Sequence, residues 1–173
     1  MRERDGSGLF LAWAVHDAEE WFTIGPWSRN RATGALPSPV ARVVPWAARG
    51  VSDRWAHVAI VAMGALIGGV SLLGLRTKGA SAIYRASVEA FGFHGLGHLA
   101  LSAVARGYTP GIATTPITVL PYAVWTSRRL TRRYGPLGRH VRVLGLAGGV
   151  ASLAACHAVA SAVDGVLHEE DRC

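Results

Sequence analysis

The chain has 173 residues, half of them apolar, and a positive mean hydropathy, which is enough for a single domain. Its net charge of +7 comes from 18 basic residues, all but one of them arginine. They fall between apolar runs with no interleaved aromatics, which argues against a base-stacking nucleic-acid platform, and two cysteines, Cys156 and Cys173, give neither a disulfide framework nor a metal-ligand spacing.

A helix needs about 20 apolar residues to cross the hydrocarbon of a bilayer. Five runs approach that length, so the sequence predicts an all-α polytopic membrane protein, with about five transmembrane helices in one bundle and one domain over 1–173. The first run, LFLAWAVHDAEEWFTI (9–24), breaks at His16 and lacks a small-residue cleavage site, which argues against a removable signal peptide. Within it His16, Glu19 and Glu20 stand at i, i+3 and i+4 and share one helix face. Asp17 points elsewhere, towards solvent or a loop arginine. An imidazole and a carboxylate so spaced can hold one metal ion, as the Glu-x-x-His pairs of helical di-iron proteins do. The alternative is an interfacial helix with its polar face in water.

The second run, 55–75, carries no charge, and its Gly64 and Gly68 have a small-xxx-small spacing that marks a helix contact. His57 and Asp53 lie at its end, at the interface. The third run, 82–105, contains Arg85 and Glu89, four apart and expected to pair. It also contains His94 and His98, which share a face as the chelating histidines of the zinc-protease helix do. Gly95 stands where that motif has its glutamate, so a carboxylate must come from another helix. Gly92, Gly95 and Gly97 allow a neighbour to approach, and hydrogen bonding across helices is the plainer use of both histidines.

Tyr108, Pro110 and Gly111 follow in YTPG, a tight turn at the interface, where Tyr108 donates into the site or anchors the membrane surface. The fourth run, 111–126, is interrupted by Pro116 and Pro121, and the arginines of RRLTRRYGPLGR (128–139) form a loop that anchors on anionic headgroups. The fifth run, 141–163, carries Gly145 and Gly149 in a second small-xxx-small face and His157, which joins the polar cluster or bonds a carbonyl. The two glycine faces make a homo-oligomer an expected arrangement. His168, Glu169 and Glu170 form a hydrophilic tail, expected to be solvated.

Five crossings put eleven basic residues on the side of the N-terminus and seven on the other, which assigns the N-terminus to the cytoplasm of a cell-membrane protein. Counting 1.5 Å per residue from that side gives depths of about 12 Å for His16, 16–18 Å for Glu19 and Glu20, 17 Å for His94, and 22 Å for His98 and His157. The ionisable groups thus gather in the half of the bilayer opposite the arginines, as a buried site requires.

His16, Glu19 and Glu20 in H-x-x-E-E, the later His94 and His98, and Y-x-P-G at Tyr108, Pro110 and Gly111 together resemble the HXXEE-motif family of small integral-membrane proteins over residues 9–125. The family is known by its motifs rather than by a reaction. The resemblance implies that His16, Glu19, Glu20 and one of His94 or His98 are signature residues.

The leading expectation is a membrane-embedded enzyme with one zinc or iron ion. His16, His94 and His98 hold the ion with Glu19, and Glu20 is the general base, or the two glutamates exchange these roles. Tyr108 and His157 stand behind them. Zinc implies hydrolysis of a lipid or a membrane peptide bond; iron implies oxidation, and the donors are few for two irons. The same residues would serve a proton or cation transporter, or lock the helices of a structural subunit. Membrane lipids are the expected partners.

Overall fold

The computed structural model describes the backbone of residues 4–32 and 50–170, and the side chains from Gly8 to Asn30 and from Gly50 to Val166. The described residues form five α-helices and no strand: α1 (Arg4–Ala32), α2 (Asp53–Arg76), α3 (Ala82–Ala105), α4 (Leu120–Tyr134), entered through a π-helical turn (Thr115–Val119), and α5 (Arg139–Glu170). The interval between the first two apolar runs, 25–54, is therefore shortened by α1. Residues 33–49 and the terminal Cys173 lie outside the described residues. Two of the five helices, α2 and α5, are long and apolar enough to cross a membrane.

The starts of α2, α3 and the π segment have local causes. Ser52 accepts the Trp55 amide at 2.9 Å as the N-cap of α2, with Asp53 in the first turn, which satisfies an orphan donor and complements the helix dipole. Ser81 caps α3 in the same way through Tyr84. Pro116 falls in the first turn of the π segment, where no amide donor is missed, and Pro121 follows where that segment passes into α4.

Packing follows the apolar faces. α1 lies on α2, α5 covers α2 and α3, and α4 lies on α3. Leu9, Trp13, Trp55, Ile60, Tyr84 and Phe91 are in the core. The small-xxx-small glycines are taken up inside the chain. A Cβ on Gly64 would stand 2.6 Å from the Trp13 ring of α1, and one on Gly145 would stand 2.6 Å from the Ala86 Cβ of α3.

Several expectations change. α1 runs well past residues 9–24 and passes through Pro26, because the lost amide donor affects one turn of a helix that α2 supports along its length. α4 begins later than 111–126, and Arg128, Arg129, Arg132 and Arg133 belong to it and not to a loop. Ala123, Thr126 and Leu130 bury its inner face, a 3–4 spacing that continues the helix under the arginines. Glu89 pairs with Arg142 of α5 at 3.2 Å rather than with Arg85. The Arg85 guanidinium donates to the Gly135 carbonyl and lies over the Tyr134 ring. Asp17 is buried and takes a hydrogen bond from the Trp13 side chain, so it is not solvated. α5 reaches Glu170, and the side chains of His168, Glu169 and Glu170 lie outside the described ones.

Candidate functional site

Helix periodicity turns His16 and Glu20 of α1 towards α3, where His94 and His98, also one turn apart, face them. One donor atom from each of His16, Glu20, His94 and His98 lies within 4.8 Å of the other three. His98 Nε2 is at the centre: it stands 2.9 Å from His94 Nε2, 3.2 Å from His16 Nε2 and 3.4 Å from Glu20 Oε1. Glu20 Oε1 is 3.8 Å from His16 Nε2. The His16 ring is fully buried, edge-on to His94, His98 and Phe91.

Glu19 turns the other way, towards the 107–114 loop. Its Oε1 accepts the Tyr108 hydroxyl at 2.7 Å and the Ala113 amide at 3.2 Å. Its Oε2 accepts the Thr114 amide at 2.8 Å and the Thr114 hydroxyl at 2.7 Å. A carboxylate on the free amides that lead into a helix satisfies orphan donors and sits well in the helix dipole. Trp27 Nε1 donates to the Tyr108 carbonyl at 2.8 Å and fixes the start of the same loop. Burial first, and then the bond to Glu19, push the Tyr108 phenol up to about 12.

The loop also fixes which nitrogen of the His98 and His16 rings carries hydrogen. His98 Nδ1 lies 2.8 Å from the Pro110 carbonyl, which can only accept, so Nδ1–H donates. The Thr114 hydroxyl gives its one hydrogen to Glu19 Oε2, or to the Gly111 carbonyl at 3.3 Å. It therefore accepts from His16 Nδ1, at 3.0 Å. Both Nε2 atoms then present lone pairs to the interior. Metal-binding histidines are held in the same way, with the far N–H on a carbonyl or carboxylate.

Gly111 closes the site. Its φ is +80°, and an added Cβ would meet His16 Cε1 at 2.6 Å and His98 Cε1 at 2.7 Å. Only glycine allows the turn to lie this close to both rings. Every defined position of Y-x-P-G thus contributes. Tyr108 holds Glu19, the Pro110 carbonyl orients His98, and Gly111 makes room.

The site therefore gathers His16, Glu20, His94 and His98, with Glu19 and Tyr108 one contact behind. Of the two arrangements that the sequence left open, Glu20 stands among the histidines and Glu19 on the loop. His157 is on α5 with its ring 4.9 Å from that of Trp55 and is not among the four converging donors. His57 stacks on Trp21 at 3.7 Å and donates to the Trp21 carbonyl at 3.0 Å. Sequence reasoning missed Thr114 as the link between His16 and Glu19. Nothing local signals it, because its partners lie some 95 residues away.

Among known proteins, a family model described as a protein of unknown function with an HXXEE motif fits residues 8–126. That span holds every residue of the site and excludes α5. No curated protein and no solved structure matches the chain.

Proposed function

The chain belongs to the HXXEE-motif family, and we propose that it is a membrane-embedded, metal-dependent hydrolase that acts on a lipid or on another membrane-embedded substrate. His16, His94 and His98 hold the ion, and Glu20 stands beside the coordination position that a catalytic site leaves to water. The observation that carries this reading is the donor spacing. Ligands at about 2.1 Å around a tetrahedral zinc stand roughly 3.4 Å from one another; four of the six donor pairs of the cluster are 2.9 to 3.8 Å apart and all six lie within 4.8 Å. Imidazole lone pairs this close repel unless a proton or a cation lies between them. Three nitrogens and one carboxylate suit zinc, and also iron.

When bound, zinc supplies Lewis-acid activation of water at neutral pH. The chain's own groups do the rest. Glu20 is the carboxylate beside the histidines, placed to take a proton from water. Thr114 and the Pro110 carbonyl keep the His16 and His98 rings turned inward, and Glu19 holds Thr114 in place.

The membrane part of the reading rests on apolar surface. The most apolar 18-residue stretches of α2 and α5 have mean hydropathies of 2.3 and 1.8 but are only 22% and 11% buried within the chain. Leu72, Leu144 and Val150 are 55–71% exposed. Contiguous apolar surface of this kind is uncommon on a protein surrounded by water. We read α1, α3 and α4 as the remaining spans of a five-span bundle, with the arginine-rich end in the cytoplasm.

The test uses full-length protein in detergent or vesicles, with ester, amide and phosphodiester lipids as substrates. Turnover that a chelator abolishes, zinc restores and Glu20→Gln removes is expected. Metal-loaded protein inert towards all three classes would overturn the hydrolase reading. One observation favours a proton or cation relay as the second reading: buried Asp17 neighbours Glu20 and extends the line of carboxylates along α1. That reading requires pH-dependent flux into liposomes.

A further inference from the structure

The polar site is open towards one end of the bundle and sealed from the other. Towards the arginine-rich end, Leu9 and Trp13 of α1 and Val88 and Phe91 of α3 fill the interior, none of them more than 9% exposed. The carboxylates of α1 stop there: the Trp13 side chain donates to Asp17, and its ring packs on Gly64 of α2. Among the described residues, no carboxylate or imidazole is buried beyond Asp17 in that direction. The buried polar groups there are the Ser71 and Thr126 hydroxyls, Tyr84, whose hydroxyl meets that of Tyr122 at 3.1 Å, and Arg85, which donates to the Gly135 carbonyl. Glu89 stands about 140° round α3 from His94 and pairs with Arg142 of α5, away from the site.

In the other direction a polar path reaches the surface. His16 Nδ1 donates to the Thr114 hydroxyl at 3.0 Å, the Thr114 hydroxyl and amide meet Glu19, and Glu19 accepts the Tyr108 hydroxyl at 2.7 Å. Tyr108 is 46% exposed, and Ala113, whose amide also binds Glu19, is exposed. The depths differ in the same sense. His98 is about 10 Å from the end of α3 at Ala105, and His94 is about 18 Å from its start at Ala82. One leaflet is half of the ~30 Å hydrocarbon core, so with α3 across the bilayer His98 lies in the leaflet on the Tyr108 side. We propose that the metal centre exchanges water, metal and substrate with the Tyr108 side alone, so that its substrate is a lipid of that leaflet. In the orientation proposed for the bundle this is the non-cytoplasmic leaflet. The inference rests on the membrane placement and the metal site proposed above, and it narrows the substrate to one face of the membrane. It also counts against the relay reading, since a relay needs polar groups on both sides of the centre and the packing of Leu9, Trp13, Val88 and Phe91 breaks the line.

Full-length protein loaded with zinc and sealed into phosphatidylcholine vesicles tests this. Gly107→Cys and Arg132→Cys, each with Cys156 and Cys173 replaced by serine, are labelled with an impermeant maleimide and give the fraction of chains that turn each end outwards. A membrane-impermeant chelator is then added to the same vesicles. The zinc removed should equal the fraction labelled at 107, and the remainder should leave only when detergent opens the vesicles. Loss that exceeds the 107 fraction overturns the proposal, and so does zinc that every chain keeps until detergent is added. A metal-free arm separates this from the metal reading. In protein without zinc, Thr114→Cys should react with an impermeant methanethiosulfonate from the 107 side only, and Val88→Cys from neither side. Reaction of either cysteine from the 132 side overturns one-sided access, as does a Thr114→Cys that reacts from neither. Protein that never takes up zinc contradicts the metal reading instead, and the thiol reactions alone then decide sidedness, as they do where zinc resists the chelator even in detergent.

Discussion

Glu19 and Glu20 are chemically identical neighbours, yet about 100° of helix rotation sends them to different partners and gives them different work. Glu20 joins three imidazoles, and Glu19 spends both oxygens on the 107–114 loop. Glu19→Gln should therefore lower thermal stability, by about 1–3 kcal/mol for a lost charged hydrogen-bond acceptor, and leave most of the bound metal. Glu20→Gln should reverse that pattern, with little change in melting and a marked loss of metal or turnover. Unfolding curves and metal content measured on the same preparations separate the two. Gly111→Ala should damage both properties, because the new Cβ has the two rings within 2.7 Å and a strained positive φ costs about 1–3 kcal/mol. Tyr108 gives a pH test. Its folded-state value of about 12 lies above the ordinary phenol value of 10.0, so its contribution is full below pH 10 and is lost as pH rises towards 12. Phenolate absorbance, wild type minus Tyr108→Phe, should rise over that window and not around pH 10. His16 with Glu20, and His94 with His98, were legible in the sequence because residues four apart share a helix face; Glu19, three from His16, was expected on that face and turns to the loop instead. Thr114 was not legible, because a hydroxyl acquires its role only when distant segments meet.

At the scale of elements, composition found the helices and misplaced their ends. The first apolar run stops at Ile24, and α1 continues past it through Pro26. Pro116 and Pro121 read as interruptions inside a helix, whereas they stand in first turns, and α4 extends on under the arginine run. A stripe as short as Ala123, Thr126 and Leu130 is hard to see among charged neighbours. The glycine faces behave as their spacing implied, with the contact made inside the chain. Gly145→Leu should push α5 from α3 against Ala86 and lower stability by about 1–3 kcal/mol, the range for overpacking. Thermal unfolding in detergent checks it, with Gly148→Leu, whose Cβ meets nothing within 4 Å, as the control that should melt near wild type.

For the whole molecule, depth counting anticipated that polar groups on separate helices would meet, and it erred on the first helix. It put His16 about 10 Å short of His98, yet their Nε2 atoms are 3.2 Å apart. α1 begins at Arg4, five residues before the apolar run starts, which lifts His16 towards the level of His98. The result sets a polar site near one end of the bundle and the arginines of α4 near the other. That polarity fits a protein with its basic end in the cytoplasm. Single cysteines, introduced after Cys156 and Cys173 are replaced, should react with an impermeant maleimide from the cytoplasmic side at position 132 and from the opposite side at position 107.

Metal content is the most direct test of the central claim. Full-length protein purified in detergent, wild type beside His98→Ala, is measured by plasma mass spectrometry. About one zinc or iron per chain, lost in the variant while helicity is kept, is the expected result. Well-folded wild type that takes up no metal, even after incubation with zinc, would contradict it.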